Sequence, residues 1–260
     1  MIKNFIKNIT PPFILKLAKR KPRYGFLGNY KTWQEAQADS KGYDDKKILE
    51  KVKNSLLKVK NGEVVYERDS VIFDKIQYSW PVLSSLLWIA SQNNNELNLI
   101  DFGGSLGSSY FQNIGFLKHL KELRWNIVEQ KNFVECGKKY FEDEHLKFFD
   151  DIETCARENK IDVFMALSSF QYLENPYVFA EKMIDFDFKY IIIDRTPYFK
   201  KEDRITVQKV NPKIYDVSYP AWIINENKFI KIFESKYDLI TDWQSPFGDI
   251  NLRGFIFKKK

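Results

Sequence analysis

Five acids, three glycines and a few serines hold most of the chemistry this sequence can do. Asp101 stands at the end of an apolar run and is followed by Gly103, Gly104, Ser105 and Gly107. Glu129, Asp150 and Asp151 follow at the ends of later apolar runs, and Ser168, Ser169 and Tyr172 close another. The adjacent pair Asp194 and Arg195 ends the apolar run YIIID. A strand, a glycine turn and a helix N-terminus form a site for a nucleotide-sized ligand. Glycines there let the backbone take positive φ and let a ligand approach closely.

These residues need a sheet to bring them together. From residue 96 onward, short apolar runs alternate with helical stretches. Strands are expected at 97–102, 124–129, 146–149, 162–167 and 190–194. Helices are expected at about 108–120, 131–142 and 152–159, and from Pro176 onward. A helix near 226–235 then precedes strands at 237–243 and 254–258, which suit an antiparallel edge pair. This is an α/β chain with a parallel sheet covered on both faces, seven strands in all. Open sheets of this kind bind ligands at the carboxyl ends of their strands, where the five acids lie. Segment 195–224 is expected to be irregular and long enough to serve as a substrate loop or lid, carrying Tyr198, Tyr215, Tyr219 and Trp222.

Ahead of the sheet, 24–30 reads as a glycine loop. Thr32 reads as a helix N-cap with Glu35 as its capping-box partner. A second helix begins at Asp44 or Asp45, and an apolar one near Pro81. Residues 63–70 read equally as strand or loop. The expected organisation is a basic amphipathic segment at 1–23, a helical cap and substrate region at 24–95 and the ligand-binding domain at 96–260.

The net charge of +6 does not describe the body of the chain. Residues 1–23 carry seven basic groups and no acid, and three lysines end the sequence, which leaves 24–257 at −4. A broad nucleic-acid surface is therefore not expected. Segment 1–23 has two readings: a basic element resting on an anionic membrane surface, or a helix packed on the domain. No apolar run reaches the length of a membrane span, no secretory signal is visible, and Cys136 and Cys155 read as free thiols, so a cytosolic protein is expected. No His, Cys or Asp cluster has metal spacing, and His119 and His145 lie away from the strand ends, so no metal is expected.

The glycine pattern is G-G-x-x-G, a poor match to the G-x-G-x-x-G of dinucleotide sites. The preceding acid would repel a pyrophosphate and attract an ammonium group. S-adenosylmethionine (SAM) has an amino acid end, a sulfonium and a ribose, and no phosphate. Asp101 would then serve the amino acid end with Gly103, Gly104, Ser105 and Gly107. Glu129 would take the ribose hydroxyls. Asp151 would accept from the adenine amino group, Ile152 would lie on the ring, and Ser168 would complete the wall. Each acid alone also reads as a solvated strand end; three in order at consecutive strand ends favour the site. For the methyl acceptor, Asp194 is the candidate base or orienter, Arg195 the holder of an anionic group, and Tyr172 a further catalytic candidate. The alternative is that Asp194 and Arg195 pair with each other, or with the acids of YERDS (66–70), as structural glue.

The DFGGSLGSS turn, Glu129, Asp151 and SSFQYLENP (168–176) resemble class I SAM-dependent methyltransferases over residues 96–260. More narrowly, TWQEAQADSKGYD (32–44), YERDS (66–70), DFGGSLGSSYFQN (101–113), VEQ (128–130), DRTP (194–197) and SYPAW (218–222) resemble a small family of bacterial methyltransferases found with surface-polysaccharide genes. The chain departs from the common turn at Ser105, where a glycine is usual. The resemblance implies a Rossmann-like methyltransferase sheet and methyl transfer, with a sugar or surface-glycan precursor as the expected acceptor. Two other readings stay open: a nicotinamide-dependent oxidoreductase of sugar nucleotides, and a non-catalytic binding module on the same fold.

Overall fold

The computed structural model describes residues 24–42, 45–245 and 251–260. The basic segment 1–23, with its two readings, lies outside the described residues.

The N-terminal part contains β1 (Gly25–Tyr30), α1 (Trp33–Ala38), α2 (Asp45–Lys60), β2 (Tyr66–Arg68), β3 (Val71–Phe73) and α3 (Trp80–Gln92). Thr32 caps α1 by accepting from the Glu35 amide at 3.1 Å. The Glu35 carboxylate reaches back to the Lys31 amide at 2.9 Å, one residue beyond the N-cap amide of the usual capping box. Strands β2 and β3 form a hairpin over Asp69-Ser70, whose φ values of 52° and 64° are those of a tight primed turn. Residues 63–70 therefore resolve as the first half of a hairpin.

The rest of the chain runs β4 (Glu96–Phe102), α4 (Ser108–Leu117), β5 (Glu122–Val128), α5 (Lys131–Tyr140), β6 (Leu146–Phe149), α6 (Ile152–Glu158), β7 (Val163–Leu167), a 3-10 turn (Phe170–Tyr172), α7 (Pro176–Asp185) and β8 (Tyr190–Phe199). It continues through β9 (Arg204–Lys209), β10 (Ser218–Asn225), α8 (Glu226–Phe233), β11 (Tyr237–Gln244) and β12 (Leu252–Lys259).

Seven strands form the main wall in the order β6-β5-β4-β7-β8-β12-β11. The first five are parallel, and β12 runs antiparallel to both its neighbours. The chain order reverses between β4 and β7, so the crevice above their carboxyl ends is the switch point. Both faces are apolar, and alternate residues divide between them. Leu99, Met165 and Ile192 face one core with α2, α3, α4 and α5. Ile100, Phe164 and Ile193 face the other, with α6, α7 and α8. By the same alternation Asp101 and Asp194 project on the α2–α3 face.

Two expectations are corrected. Segment 195–224 is not an irregular loop, and 24–30 is not a loop. Strand β8 continues to Phe199, and its tip pairs in parallel with Ile224 and Asn225 of β10. Strand β10 pairs antiparallel with β9, and β9 with β1. The N-terminal part thus adds an edge strand and a hairpin to its helices. No helix among the described residues is long and apolar enough to cross a membrane.

Candidate functional site

A cavity of about 1070 Å³ opens at the carboxyl ends of β4, β5, β6, β7 and β8. Its floor is the turn after β4. Gly103 has φ +71°, Ser105 +55° and Gly107 +103°, after which α4 begins. The Gly103 amide donates to Val128 O at 2.9 Å, which ties the turn to β5. Gly104 lies directly on the Asp101 carboxyl: a Cβ there would stand 2.7 Å from Asp101 Cγ. Ser105 holds a left-handed conformation without being glycine, at a cost of about 1–2 kcal/mol. Gly107 is buried against Leu146 and Ile127, off the cavity wall, so it shapes the turn from behind.

Asp101 is 1% exposed, and Trp125 Nε1 donates to its Oδ2 at 3.0 Å. Burial pushes its carboxyl up to about 7, outweighing the indole bond and the charge of Arg195; the charge of Glu129 adds to the rise. Such a group stabilises the fold fully below its ordinary value near 4, and that contribution is lost as pH rises through about 7. Asp101→Asn keeps an acceptor for Trp125. In denaturant titrations it should remove a stability slope of about 1.4 kcal/mol per pH unit between pH 4 and 7.

Glu129 and Gln130 line the cavity beyond β5, and the Gln130 amide donates to Glu129 Oε2 at 2.7 Å. At the end of β6 the wall is made by Asp150, not by Asp151. Asp151 caps α6, accepting from Thr154 N at 2.6 Å and Thr154 Oγ1 at 3.0 Å. The Thr154 amide, then its hydroxyl, hold the Asp151 carboxyl below its usual range. Ile152 is 5% exposed and packs in the core below. Asp150 thus stands on the cavity wall, whereas Asp151 and Ile152, expected on the adenine side, lie off it.

Ser168, with φ 68°, donates its amide to Asp194 O at 2.9 Å and accepts from Gln171 Nε2 at 2.8 Å. Tyr172 lines the cavity, and its hydroxyl donates to Gln208 Oε1 of β9 at 2.7 Å. The Tyr172 ring meets Tyr219 edge-on, with centroids 5.1 Å apart.

Asp194 is fully buried in the fold yet borders the cavity. Trp243 Nε1 donates to its Oδ1 at 2.9 Å, and Ser79 Oγ lies 3.4 Å from Oδ2. Burial raises the carboxyl above its ordinary value, against the charge of Arg195 and its hydrogen bonds. The Arg195 guanidinium donates to Leu167 O at 3.4 Å. No side-chain ion pair joins Asp194 and Arg195 among the described residues, although the Arg195 amide and charge both act on the Asp194 carboxyl. The two buried aspartates have the same design. Each lies on the same face of a parallel strand, and each is gripped by an indole N–H from another strand.

Trp125, Trp243 and Ser79 are absent from the sequence reading. The only signal for the tryptophans is a position in a strand near an acid, visible once the register is known. Glu67, named within YERDS, is buried; Ser108 Oγ donates to its Oε1 and the Ser70 amide to its Oε2 at 3.0 Å. Burial raises its carboxyl. The hairpin is thereby fastened to the first turn of α4, beside the glycine turn. Tyr66, Arg68 and Asp69 line the cavity with it, as do Tyr215 and Tyr219. Tyr198 is buried in the core, and Trp222 stacks on Trp33 with centroids 6.3 Å apart. His145 Nδ1 lies 3.1 Å from Leu123 O, and no histidine lines the cavity among the described residues.

No protein-family profile and no curated protein sequence matches the chain. Its fold is similar to the N-terminal domain of EvdMO1, solved in the presence of SAH and D-fucose; identity is 10%, 84% of this chain and 98% of that one are covered, and the TM-score is 0.50. Weaker likenesses are magnesium protoporphyrin IX methyltransferase from Synechocystis with bound SAM (13% identity, 85% and 99% covered, TM-score 0.48) and a SAM-dependent methyltransferase from Clostridium acetobutylicum (9%, 70% and 93%, 0.45). At such identities the likeness establishes the fold: this chain has the Rossmann-like methyltransferase fold, with helices on both faces of its sheet.

Proposed function

We propose that this chain is a SAM-dependent methyltransferase acting on a hydroxyl of a sugar or a surface-glycan precursor. The observation that carries this reading is the set of acids around one cavity: Asp101 under the glycine turn, Glu129 at the next strand end and Asp150 at the third. This donor set fits SAM and opposes a dinucleotide. A carboxyl under the turn attracts an ammonium group and repels a pyrophosphate. Asp101 and the turn would hold the amino acid end, Glu129 the ribose diol and Asp150 the adenine amino group, with Ser168 beside them. The cavity is large enough for a cofactor and an acceptor together.

When bound, SAM supplies an electrophilic methyl group on a cationic sulfur. The chain's own task is to orient an acceptor, exclude water and remove a proton. Asp194 is the residue for the proton. It borders the cavity, its oxygens are fixed by Trp243 and Ser79, and its raised proton affinity makes it a stronger base than an exposed carboxylate. Tyr172, Tyr215 and Tyr219 offer ring edges and hydroxyls suited to a saccharide. The EvdMO1 domain, solved with SAH and D-fucose, is in keeping with a sugar acceptor on this fold.

The test is incubation with methyl-labelled SAM and fractionated host extract. Label is expected in the saccharide or sugar-nucleotide fraction. Label only in protein, nucleic acid or fatty acid would refute the acceptor class.

A further inference from the structure

We propose that Trp243 is a positioning residue for Asp194, fixing Oδ1 so that Oδ2 meets the acceptor, and that Gly254 provides the gap through which its indole reaches. The proposal rests on the methyltransferase reading of the cavity.

Trp243 and Asp194 do not lie on neighbouring strands. Trp243 of β11 stands opposite Gly254 of β12, and β12 separates β11 from β8. Two strand spacings, about 10 Å, therefore lie between the two backbones. Trp243 Nε1 still donates to Asp194 Oδ1 at 2.9 Å. The indole bridges the gap by lying over Gly254: a Cβ there would stand 2.2 Å from Trp243 Cε2 and 2.3 Å from Nε1. Any other residue at 254 would claim the space of the donor atom. Gly254 is buried within β12 and has no left-handed φ, so backbone freedom does not account for the glycine.

Strand β8 is adjusted at the same level. Arg253 pairs with Thr196 and Phe255 with Ile193, so two residues of β8, Asp194 and Arg195, oppose the single Gly254. This is a β-bulge, with Arg195 at φ 55°. Bulges re-aim side chains and are over-represented beside active sites. Here the bulge falls at the register position where a glycine gap, an indole donor and a buried carboxyl meet.

The two carboxyl oxygens have different surroundings. Oδ1 is held by Trp243, which is off the cavity wall. Oδ2 lies 3.4 Å from Ser79 Oγ, and Ser79 lines the cavity. Ser79 is the N-cap residue of α3, yet its side chain makes no cap bond. Its hydroxyl is turned to Asp194 instead. Oδ2 is thus the oxygen on the cavity side. An acceptor hydroxyl gives its proton there as its oxygen takes the methyl group. The O–H bond breaks, an O–C bond forms, and the sulfonium departs as a neutral thioether with the electron pair of its C–S bond.

The charge of Arg195 acts on Asp194 from its own strand. Arg253, beside Gly254, is engaged by Asp242 and Glu226; α3 presents the uncharged Ser79, and β7 sets Leu167 opposite Asp194. Burial raises the Asp194 carboxyl, and the indole bond is among the contacts that oppose the rise. Losing that bond should raise the carboxyl further.

The test has two readouts, with thermal melts reporting the fold of each variant. In 15N-labelled protein, Trp243→Phe identifies the Trp243 indole signal among the six tryptophans. That N–H should be protected from solvent exchange and should lose its protection in Gly254→Ala. An unprotected wild-type signal, or full protection in Gly254→Ala, would overturn the proposal. In methyl transfer from labelled SAM to the accepting extract fraction, Trp243→Phe should lower kcat about tenfold to a hundredfold, with KM for SAM unchanged. Its rise in rate with pH should also move to higher pH than in wild type. Wild-type kcat and pH profile in Trp243→Phe would overturn the proposal alone. Wild-type protein that transfers no methyl group would instead overturn the methyltransferase reading, and this one with it.

Discussion

Gly103→Val is expected to abolish SAM binding while leaving the protein folded. Two effects add at this position. Gly103 has φ +71°, where an L side chain costs about 1–2 kcal/mol and a β-branched one is least tolerated. A Cβ would also stand 2.7 Å from Ser169 Oγ, which is not free to swing away because it donates to Phe102 O at 2.7 Å. Forcing an atom into such a fixed contact costs about 1–3 kcal/mol. The turn relieves both by moving, which breaks the Gly103 amide bond to Val128 and displaces Gly104 from Asp101. A loss of about 3 kcal/mol is more than a hundredfold in affinity. Calorimetry with SAM and a thermal melt measure the two halves of the prediction. Affinity within threefold of wild type would show that the turn is not the site.

Asp194→Asn should lower kcat by about 10²–10⁴, the usual worth of a positioned base, with SAM affinity unchanged. Asparagine keeps an oxygen for Trp243 Nε1 and nearly the same shape, so the change removes basicity and little else. The pH profile carries the sign. A base must be ionised to act, so wild-type kcat should rise with pH through a value above the ordinary aspartate range, because burial raises this carboxyl. The variant should lose that rise. A variant with full kcat and an unaltered profile would leave Asp194 as a structural acceptor for Trp243 and Ser79.

The parallel core of the fold was legible because its strands are buried on both faces and read as short apolar runs between helices. YIIID and LNLID show even which face the acids take, since Ile192 and Asp194, like Leu99 and Asp101, share a side. The antiparallel extension was not legible. Strand β1, GFLGNY, has two glycines that locally signal a loop, and its partner β9 lies far along the chain. Strand identity there comes from pairing, not from local propensity. The same holds for Ser218–Asn225, which contains a proline.

At the site, the glycine turn and the strand-end acids were readable from type and order. That Asp150 lines the cavity while Asp151 caps a helix is a division whose signal is present in the sequence. A helix was expected from 152, and an aspartate immediately before a helix is a strong N-cap. Asp151 takes that cap and so turns away from the cavity. The indole grips on Asp101 and Asp194 depend on strand register and helix packing, and no local pattern encodes them.

The most direct test of the central claim is calorimetric titration of the wild-type chain with SAM and, in parallel, with NAD. The cavity's acids predict a single SAM site with Kd in the range of about 1–100 μM and no heat of binding with NAD. Saturable NAD binding without SAM binding would contradict the account, because it would put a pyrophosphate where the structure places the buried carboxyl of Asp101.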